Sequence, residues 1–427
     1  MKKLSKLLAL LLALAMMLSL AACGGSSKPA EEPAEEPAAE APAEEPAEEP
    51  AEEPAEEPAE APAANVDYKV AMITDSGDIT DQSFNQTTYE TCKAFCEANG
   101  VEFQYYKPDG DNTEARVAKV DAAVADGYNI IVMPGYLFGA TIVEVSGMYP
   151  DVKFIALDVA AGDILEAGVG AGYDYNPANW DVTEYYNTDN VFCAVYQEEL
   201  SGYMAGYAAV KMGYKHLGFL GGMSVPAVIR FGYGYVQGAD AAAVELGIAD
   251  EVTIEYAYGG QFFGDADITA AMDTWYQTKG VEVVFACGGG IYTSAAEAAA
   301  KVGGKVIGVD SDQSGIIDEK YGAGMTVTSA MKGLAPTVNT LLSEIILNDN
   351  WNAYVGQIQN LGLVSGDDPT LNYVQLPMDT TQWNDTFTQD DYKALVAKMY
   401  SGEITVSNDT SAMPATTITV NDAGSIK

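Results

Sequence analysis

The chain has 427 residues, 48% of them apolar, with 62 acidic against 21 basic side chains and a formal net charge of −41 at pH 7. So acidic a surface repels phosphate backbones, which excludes nucleic acid as a partner. One histidine and five cysteines without CxxC spacing give no zinc site, no disulfide framework and no nucleophile paired with a histidine base.

Residues 1–22 read as a secretory signal peptide: Lys2, Lys3 and Lys6 precede an apolar and small-residue run from Leu7 to Ala22. A core of about 15 residues is too short to span a bilayer. The run ends in Leu20-Ala21-Ala22-Cys23, which resembles the bacterial lipobox. Cys23 is therefore expected to be lipidated and to anchor the protein on the extracytoplasmic face of the cell membrane. Residues 23–64 hold repeated Glu-Glu-Pro-Ala units without a large apolar side chain. With nothing to bury, regular prolines and mutually repelling charges, they are expected to form an extended linker reaching on the order of 100 Å.

Residues 65–427 remain. With the linker's 14 glutamates and four early lysines set aside, they keep 48 acids against 17 bases, and they are long enough for two lobes with their own cores. Tyr68–Ile73 is predicted as a strand, followed by a helix through Phe95. Cys92 and Cys96, one turn apart on that helix, read as buried small residues on one face rather than a bridge. Asn129–Met133 is a second strand, followed by a helix ending near Tyr149, and Lys153–Leu157 is a third. The Gly-, Tyr- and Asn-rich segment Ala161–Thr188 is expected to be an irregular connection.

After Asn190 a second series runs: helix Glu198–Met212, strand His216–Leu220, a helix around Gly238–Leu246, strand Thr253–Tyr256, helix Ile268–Lys279, strand Val283–Ala286, helix Ser294–Val302 and strand Lys305–Val309. The alternation predicts an α/β fold with two parallel sheets and right-handed crossovers, with ligand at the carboxyl ends of the strands.

Enzyme chemistry is missing. No P-loop, GxGxxG or GxSxG elbow occurs, and His216, between a helix end and a strand, reads as structural. Asp310–Gly315 matches half of an EF-hand loop, but its twelfth position is Tyr321 rather than a bidentate glutamate, so no metal site is expected. Nothing implies a cofactor.

What the chain offers is carboxylates at strand ends: Asp75, Asp158 and Asp310. Each alone fits a helix cap or a turn; together they can face one cleft. Carboxylates without a metal or a basic cluster favour a ligand rich in hydroxyl and N–H donors over a phosphorylated one.

Thr74-Asp75, Asp81-Gln82-Ser83-Phe84-Asn85-Gln86, Tyr149–Phe154, Gly206–Ala209, Gly221-Gly222 with Pro226 and Phe231, Val309–Gln313 and Thr328–Lys332 carry a resemblance to the basic membrane protein family. These lipoproteins, which include the purine nucleoside receptor A type, bind substrates for ABC transporters. The likeness runs from about Tyr68 to about Leu347. It implies a type I periplasmic-binding-protein fold: two doubly wound parallel-sheet lobes joined by a hinge of three crossing strands. The lobes would comprise 65–190 with about 311–347, and 191–310 with about 348–427.

The resemblance further implies that Phe84 and Phe263, the latter preferred to Phe262 for its F-x-D spacing, sandwich a purine ring. Asp75, Asn85 and Asp158 would read the base edge, Asp310 and Lys332 would hold the ribose hydroxyls, and backbone near Gly288 would close over the sugar. The sequence departs from the family pattern in a long Ala161–Thr188 connection and in Tyr292, which stands where a smaller residue is usual. The implied partners are a purine nucleoside and the permease and ATPase subunits of an importer, with the membrane reached through the lipid anchor. A sugar or another polar metabolite in the same fold, or a ligand-binding surface sensor, stays open on the residues alone.

Overall fold

A computed structural model describes residues 67–427. The expected signal peptide (1–22), Cys23 and the linker (23–64) lie outside the described residues.

The chain runs β1 (Lys69–Ile73), α1 (Phe84–Asn99), β2 (Glu102–Tyr106), α2 (Thr113–Ala125), β3 (Ile130–Pro134), α3 (Phe138–Val145), β4 (Lys153–Leu157), α4 (Ala161–Val169) and β5 (Val191–Tyr196). It continues through α5 (Glu198–Lys211), β6 (His216–Gly221), α6 (Pro226–Leu246), β7 (Thr253–Tyr258), α7 (Ala266–Asp273), β8 (Val283–Cys287), α8 (Tyr292–Ala300), β9 (Lys305–Asp310), α9 (Ser314–Tyr321) and β10 (Thr326–Lys332). The last elements are α10 (Leu334–Ile346), β11 (Ile358–Leu361), β12 (Val374–Gln375), α11 (Gln389–Tyr400) and β13 (Thr419–Ser425).

The strands form two sheets. The first has the order β11-β5-β4-β3-β1-β2 and is wholly parallel. The second has the order β12-β10-β9-β8-β6-β7-β13, with only β12 antiparallel. Inner strands such as Ile130–Pro134 and Val283–Cys287 are buried throughout, because helices cover both faces of each sheet. Alternate residues then feed opposite cores: Val283, Phe285 and Cys287 pack towards α5 and α6, whereas Val284 and Ala286 pack towards α7 and α8.

The pairing sets sheet membership differently from the expected lobe boundaries. Residues 191–196 pair with β4 and belong to the first sheet, as does β11, which pairs with β5. Residues 311–332 belong with the second, since β10 pairs with β9. The chain crosses between the sheets three times, at residue 197, at residue 333 and over residues 362–373. The crossings are tied together: Gln197 N donates to Leu361 O at 2.9 Å, Gly333 N to Tyr373 O at 2.6 Å, and Tyr373 N to Gly362 O at 3.0 Å.

Other differences have local causes. β2 is an edge strand with mixed exposure, so its apolar signal is weak. The helix expected around Gly238 begins twelve residues earlier, at Pro226, a residue whose fixed φ suits a first helical position. The connection expected to be irregular opens with α4 before it turns irregular. Cys92, Cys96, Cys193 and Cys287 are free and buried.

Helices α5 and α6 pack backbone to backbone. A Cβ on Gly202 or Gly206 would collide with the carbonyls of Phe231 or Tyr235, and one on Gly234 or Gly238 with the backbone of Glu199 or Tyr203. That close approach brings Glu198 and Arg230 into contact.

Candidate functional site

All strands of both sheets except β12 share a direction within their sheet, so the loops that follow them gather at one edge of each. There a cavity of about 1120 Å³ opens between elements of the two sheets. Asp75, Phe84, Asn85, Asp158, Phe263, Gly288, Asp310 and Lys332 all line it. The first-sheet wall is built from the end of β1 and the start of α1. Asp81 accepts backbone N–H groups from Ser83 (2.9 Å), Asn85 (2.9 Å) and Gln86 (3.0 Å), which caps α1 from outside. Asn85 Nδ2 donates to Asp75 Oδ1 at 3.2 Å and to Asp81 Oδ2 at 3.1 Å, fixing its amide so that Oδ1 is the free acceptor. Asp75 also accepts Gly77 N at 2.8 Å; burial pushes its carboxyl up, and the Gly77 and Asn85 donors pull it back. Gly135, at φ +129°, leaves Asp75 its space, since a Cβ there would lie 2.6 Å from Asp75 Oδ2.

The floor is a buried ionic cluster. Lys332 Nζ, at the end of β10, lies 2.6 Å from Asp158 Oδ2, 3.5 Å from Glu198 Oε1 and 3.6 Å from Asp310 Oδ1. Burial opposes the ammonium charge, but the carboxylates of Asp158, Asp310 and Glu198 outweigh it and hold Lys332 protonated. Its Nζ sits 4.7 Å from the centroid of Phe84. Burial drives Asp158 to about 6 even against Lys332 and with Glu198 adding repulsion. Glu198 accepts Arg230 Nε at 2.6 Å, and Ser83 Oγ donates to Asp310 Oδ2 at 2.6 Å, which joins the start of α1 to the end of β9. Asp158 and Asp310 both sit in left-handed backbone, at φ 60° and 64°, where Asp is tolerated better than most residues.

Two residues of the lining each carry a buried oxygen with no hydrogen-bond partner among the described residues: Asn85 Oδ1 and Asp158 Oδ1. Across the cleft, Phe263 is 62% exposed while Phe262 packs against the second-sheet core. Gly288, at φ +143°, lies under Phe262, whose ring would stand 2.8 Å from a Cβ. Tyr292 is buried in the core beside α7 and lies outside the cavity lining. The rim carries Tyr173, Tyr175 and Pro177 from the long connection after β4.

Several residues of the site went unnoticed in the sequence. Glu198 looks like an ordinary acid in a helix's first turn, and Arg230 lies in the part of α6 that precedes the helix expected from the sequence; Pro226 is the local signal for that earlier start. Asp81 stands inside a quoted motif without an assigned task. Asp163, pushed up to about 7 by burial with the Ala160 amide drawing it back, lies in the segment expected to be irregular.

The fold has solved counterparts. A solute-binding protein of an ABC transporter system from Aeropyrum pernix superimposes with a TM-score of 0.56 at 22% identity, covering 80% of this chain and 88% of that one. A second, from Conexibacter woesei, gives 0.56 at 21% identity, covering 80% and 99%. Both show the two-lobed α/β architecture of solute-binding proteins. In sequence the chain is 27% identical over 306 residues to basic membrane protein B of Borreliella afzelii, covering 70% of this chain and 79% of that one. It is 25% identical over 295 residues to the ABC transporter nucleoside-binding protein BmpA of Lactococcus lactis, covering 65% and 74%. A lipoprotein of Pyrococcus furiosus is 25% identical over 302 residues, covering 70% and 68%. The family model of PnrA-like ABC transporter substrate-binding proteins matches residues 68–410, and this chain therefore belongs to that family of binding proteins, the Bmp family, and not to a family of enzymes.

Proposed function

We propose that this substrate-binding protein captures a purine nucleoside in the cleft and delivers it to the permease of an ABC importer. The observation that carries the proposal is a cavity lined by Phe84, Phe263, Asn85 and Asp158, the last two each holding a buried oxygen, Asn85 Oδ1 and Asp158 Oδ1, without a hydrogen-bond partner among the described residues. A buried acceptor without a donor costs roughly 1–3 kcal/mol, which a ligand bearing N–H and O–H groups relieves. An aromatic ring between the two phenylalanines adds about 1 kcal/mol per stacked face. In this reading Asp75, Asn85 and Asp158 meet the base, Asp310 and Lys332 the ribose, and Gly288 lets backbone approach the sugar. The cavity wall holds eight carboxylates (Asp75, Asp78, Asp81, Asp111, Asp158, Asp163, Glu166 and Asp310) against three cations (Lys107, Arg230 and Lys332). That balance disfavours a phosphate and favours the uncharged nucleoside.

At about 1120 Å³ the cavity exceeds the usual range of about 300–1000 Å³ for small-molecule sites, so the lobes are expected to close on the ligand. Acylation of Cys23 would hold the protein at the extracytoplasmic membrane face; a related protein is named a lipoprotein, and among the described residues no helix is long and apolar enough to cross a membrane. Calorimetry against adenosine, guanosine, inosine, cytidine and adenosine 5′-monophosphate tests the ligand. Purine nucleosides should bind with micromolar or tighter affinity and the monophosphate far more weakly. If no purine nucleoside binds more tightly than about 100 μM, roughly −5.5 kcal/mol, the ligand assignment fails.

A further inference from the structure

The family match ends at residue 410, yet the chain continues into β13. This strand adds to the edge of the second sheet, parallel to β7, with Ile426 N donating to Tyr258 O at 2.8 Å. Its direction carries the following residue, Lys427, to the loop that leaves β7, Gly259–Asp265, which bears Phe262 and Phe263. Lys427 Nζ contacts Gln261 Oε1 at 3.1 Å and forms an ion pair with Asp265. Asp265 is the centre of that loop's own bracing. Its Oδ1 accepts Asp267 N and Ile268 N, each at 3.0 Å, to cap α7, and its Oδ2 accepts Gln261 Nε2 at 2.9 Å. Gln261 Nε2 also reaches the carbonyl of Phe263 at 2.9 Å. From Lys427 the polar chain therefore runs through Gln261 and Asp265 to the backbone of Phe263, whose side chain is 62% exposed in the cleft.

We infer that residues 419–427 clamp the aromatic loop of the cleft, and that Lys427 is a positioning residue for Phe263. Gly260, at φ +77°, gives the loop its sharp exit and brings it beside Lys427, whose Cβ would be 3.9 Å from a Cβ at that glycine. An exposed ring on a glycine-flanked loop gains little from its own packing, so its orientation depends on these polar ties together with two bonds to the segment before and at the start of α8, Gly290 N to Phe262 O at 2.8 Å and Asp265 N to Ser294 Oγ at 3.0 Å. Lys427 acts at one remove: it fixes the loop's backbone before ligand arrives and so lowers the ordering cost of binding.

The effect on affinity rests on the ligand contact proposed above for Phe263, whereas the clamp itself does not, and two measurements separate them. The first is hydrogen exchange of the amides of residues 259–265 without ligand. Lys427→Ala should accelerate it and Lys427→Arg should leave it near the wild-type rate; unchanged exchange in Lys427→Ala overturns the clamp. The second is adenosine calorimetry. Lys427→Ala should weaken binding about three- to fivefold, the scale of one partly exposed ion pair, with Lys427→Arg restoring it. In a Phe263→Ala background the same change should have no further effect. An equal loss in both backgrounds, or none in the wild-type background, overturns the positioning of Phe263. If the wild-type protein binds no purine nucleoside, the ligand assignment falls and the exchange experiment alone decides the clamp.

Discussion

Replacing Lys332 with methionine removes the only cation among the described residues that touches Asp158, Glu198 and Asp310 together, while keeping most of the side chain's volume. At an effective dielectric of about 20, the separations of 2.6, 3.5 and 3.6 Å correspond to about 6, 5 and 5 kcal/mol of attraction before desolvation is subtracted. Desolvation consumes much of this in the wild type, and breaking a buried pair from one side costs about 3–5 kcal/mol because charge is left behind. That is the loss expected for Lys332→Met at pH 8. The pH dependence follows from Asp158, whose folded pKa of about 6 exceeds the model-peptide value of 3.8 with the lysine present and rises further without it. A carboxylate with a raised folded pKa carries its full penalty above that pKa and loses it as pH falls from the folded to the unfolded pKa; the difference between variant and wild type vanishes once both folded forms hold the proton. The deficit should therefore shrink between pH 8 and pH 5. Urea unfolding followed by tryptophan fluorescence at both pH values measures it. A deficit under about 1 kcal/mol at pH 8, or one equal at the two pH values, would refute the picture of carboxylates held by a single ammonium.

Phe84→Ala should weaken adenosine binding about 30-fold, or about 2 kcal/mol, by calorimetry, and an unchanged affinity would remove the stacking role. Gly135→Ala forces a Cβ to within 2.6 Å of Asp75 Oδ2 at φ +129°; a stability loss of roughly 1–3 kcal/mol is expected in urea unfolding, together with weaker ligand binding. Gly206→Ala drives a methyl into the Tyr235 carbonyl across the α5–α6 contact. It should cost at least about 2 kcal/mol, and a neutral result in thermal or urea melts would show that the helix pair can separate without penalty.

Much of the lining of the candidate cleft could be read from the sequence because parallel strands direct their ends to one edge. Asp158 and Asp310 each follow a short apolar run, so their convergence needs only the β-α alternation. The two-lobe architecture was legible for the same reason. The sheet assignments near the crossings were not, since nothing in the local sequence of β5 (VFCAVY) or β10 (TVTSAMK) says which sheet it joins. Glu198 and Arg230 escaped for a different reason: their burial is a product of the α5–α6 glycine contact, a tertiary fact that makes two ordinary-looking surface charges into partners. Residues 348–427 gave little sign of their part because β11 and β12 are short and β13 is largely exposed, yet they complete both sheets.

The interleaving of the chain also bears on the order in which the protein can mature on the ribosome. The core under β1, β3 and β4 is closed by Leu334, Val338, Leu341, Leu342 and Ile345 of α10, and β11 borders the same sheet, but these are made only after β6 to β10 of the other. A nascent polypeptide ending before residue 334 thus holds an apolar face that α1 covers only in part, through Phe84, Cys92, Phe95 and Cys96, and its first half cannot settle until nearly the whole is synthesised. Such a chain stays open to chaperones and unfolding-competent for most of its synthesis.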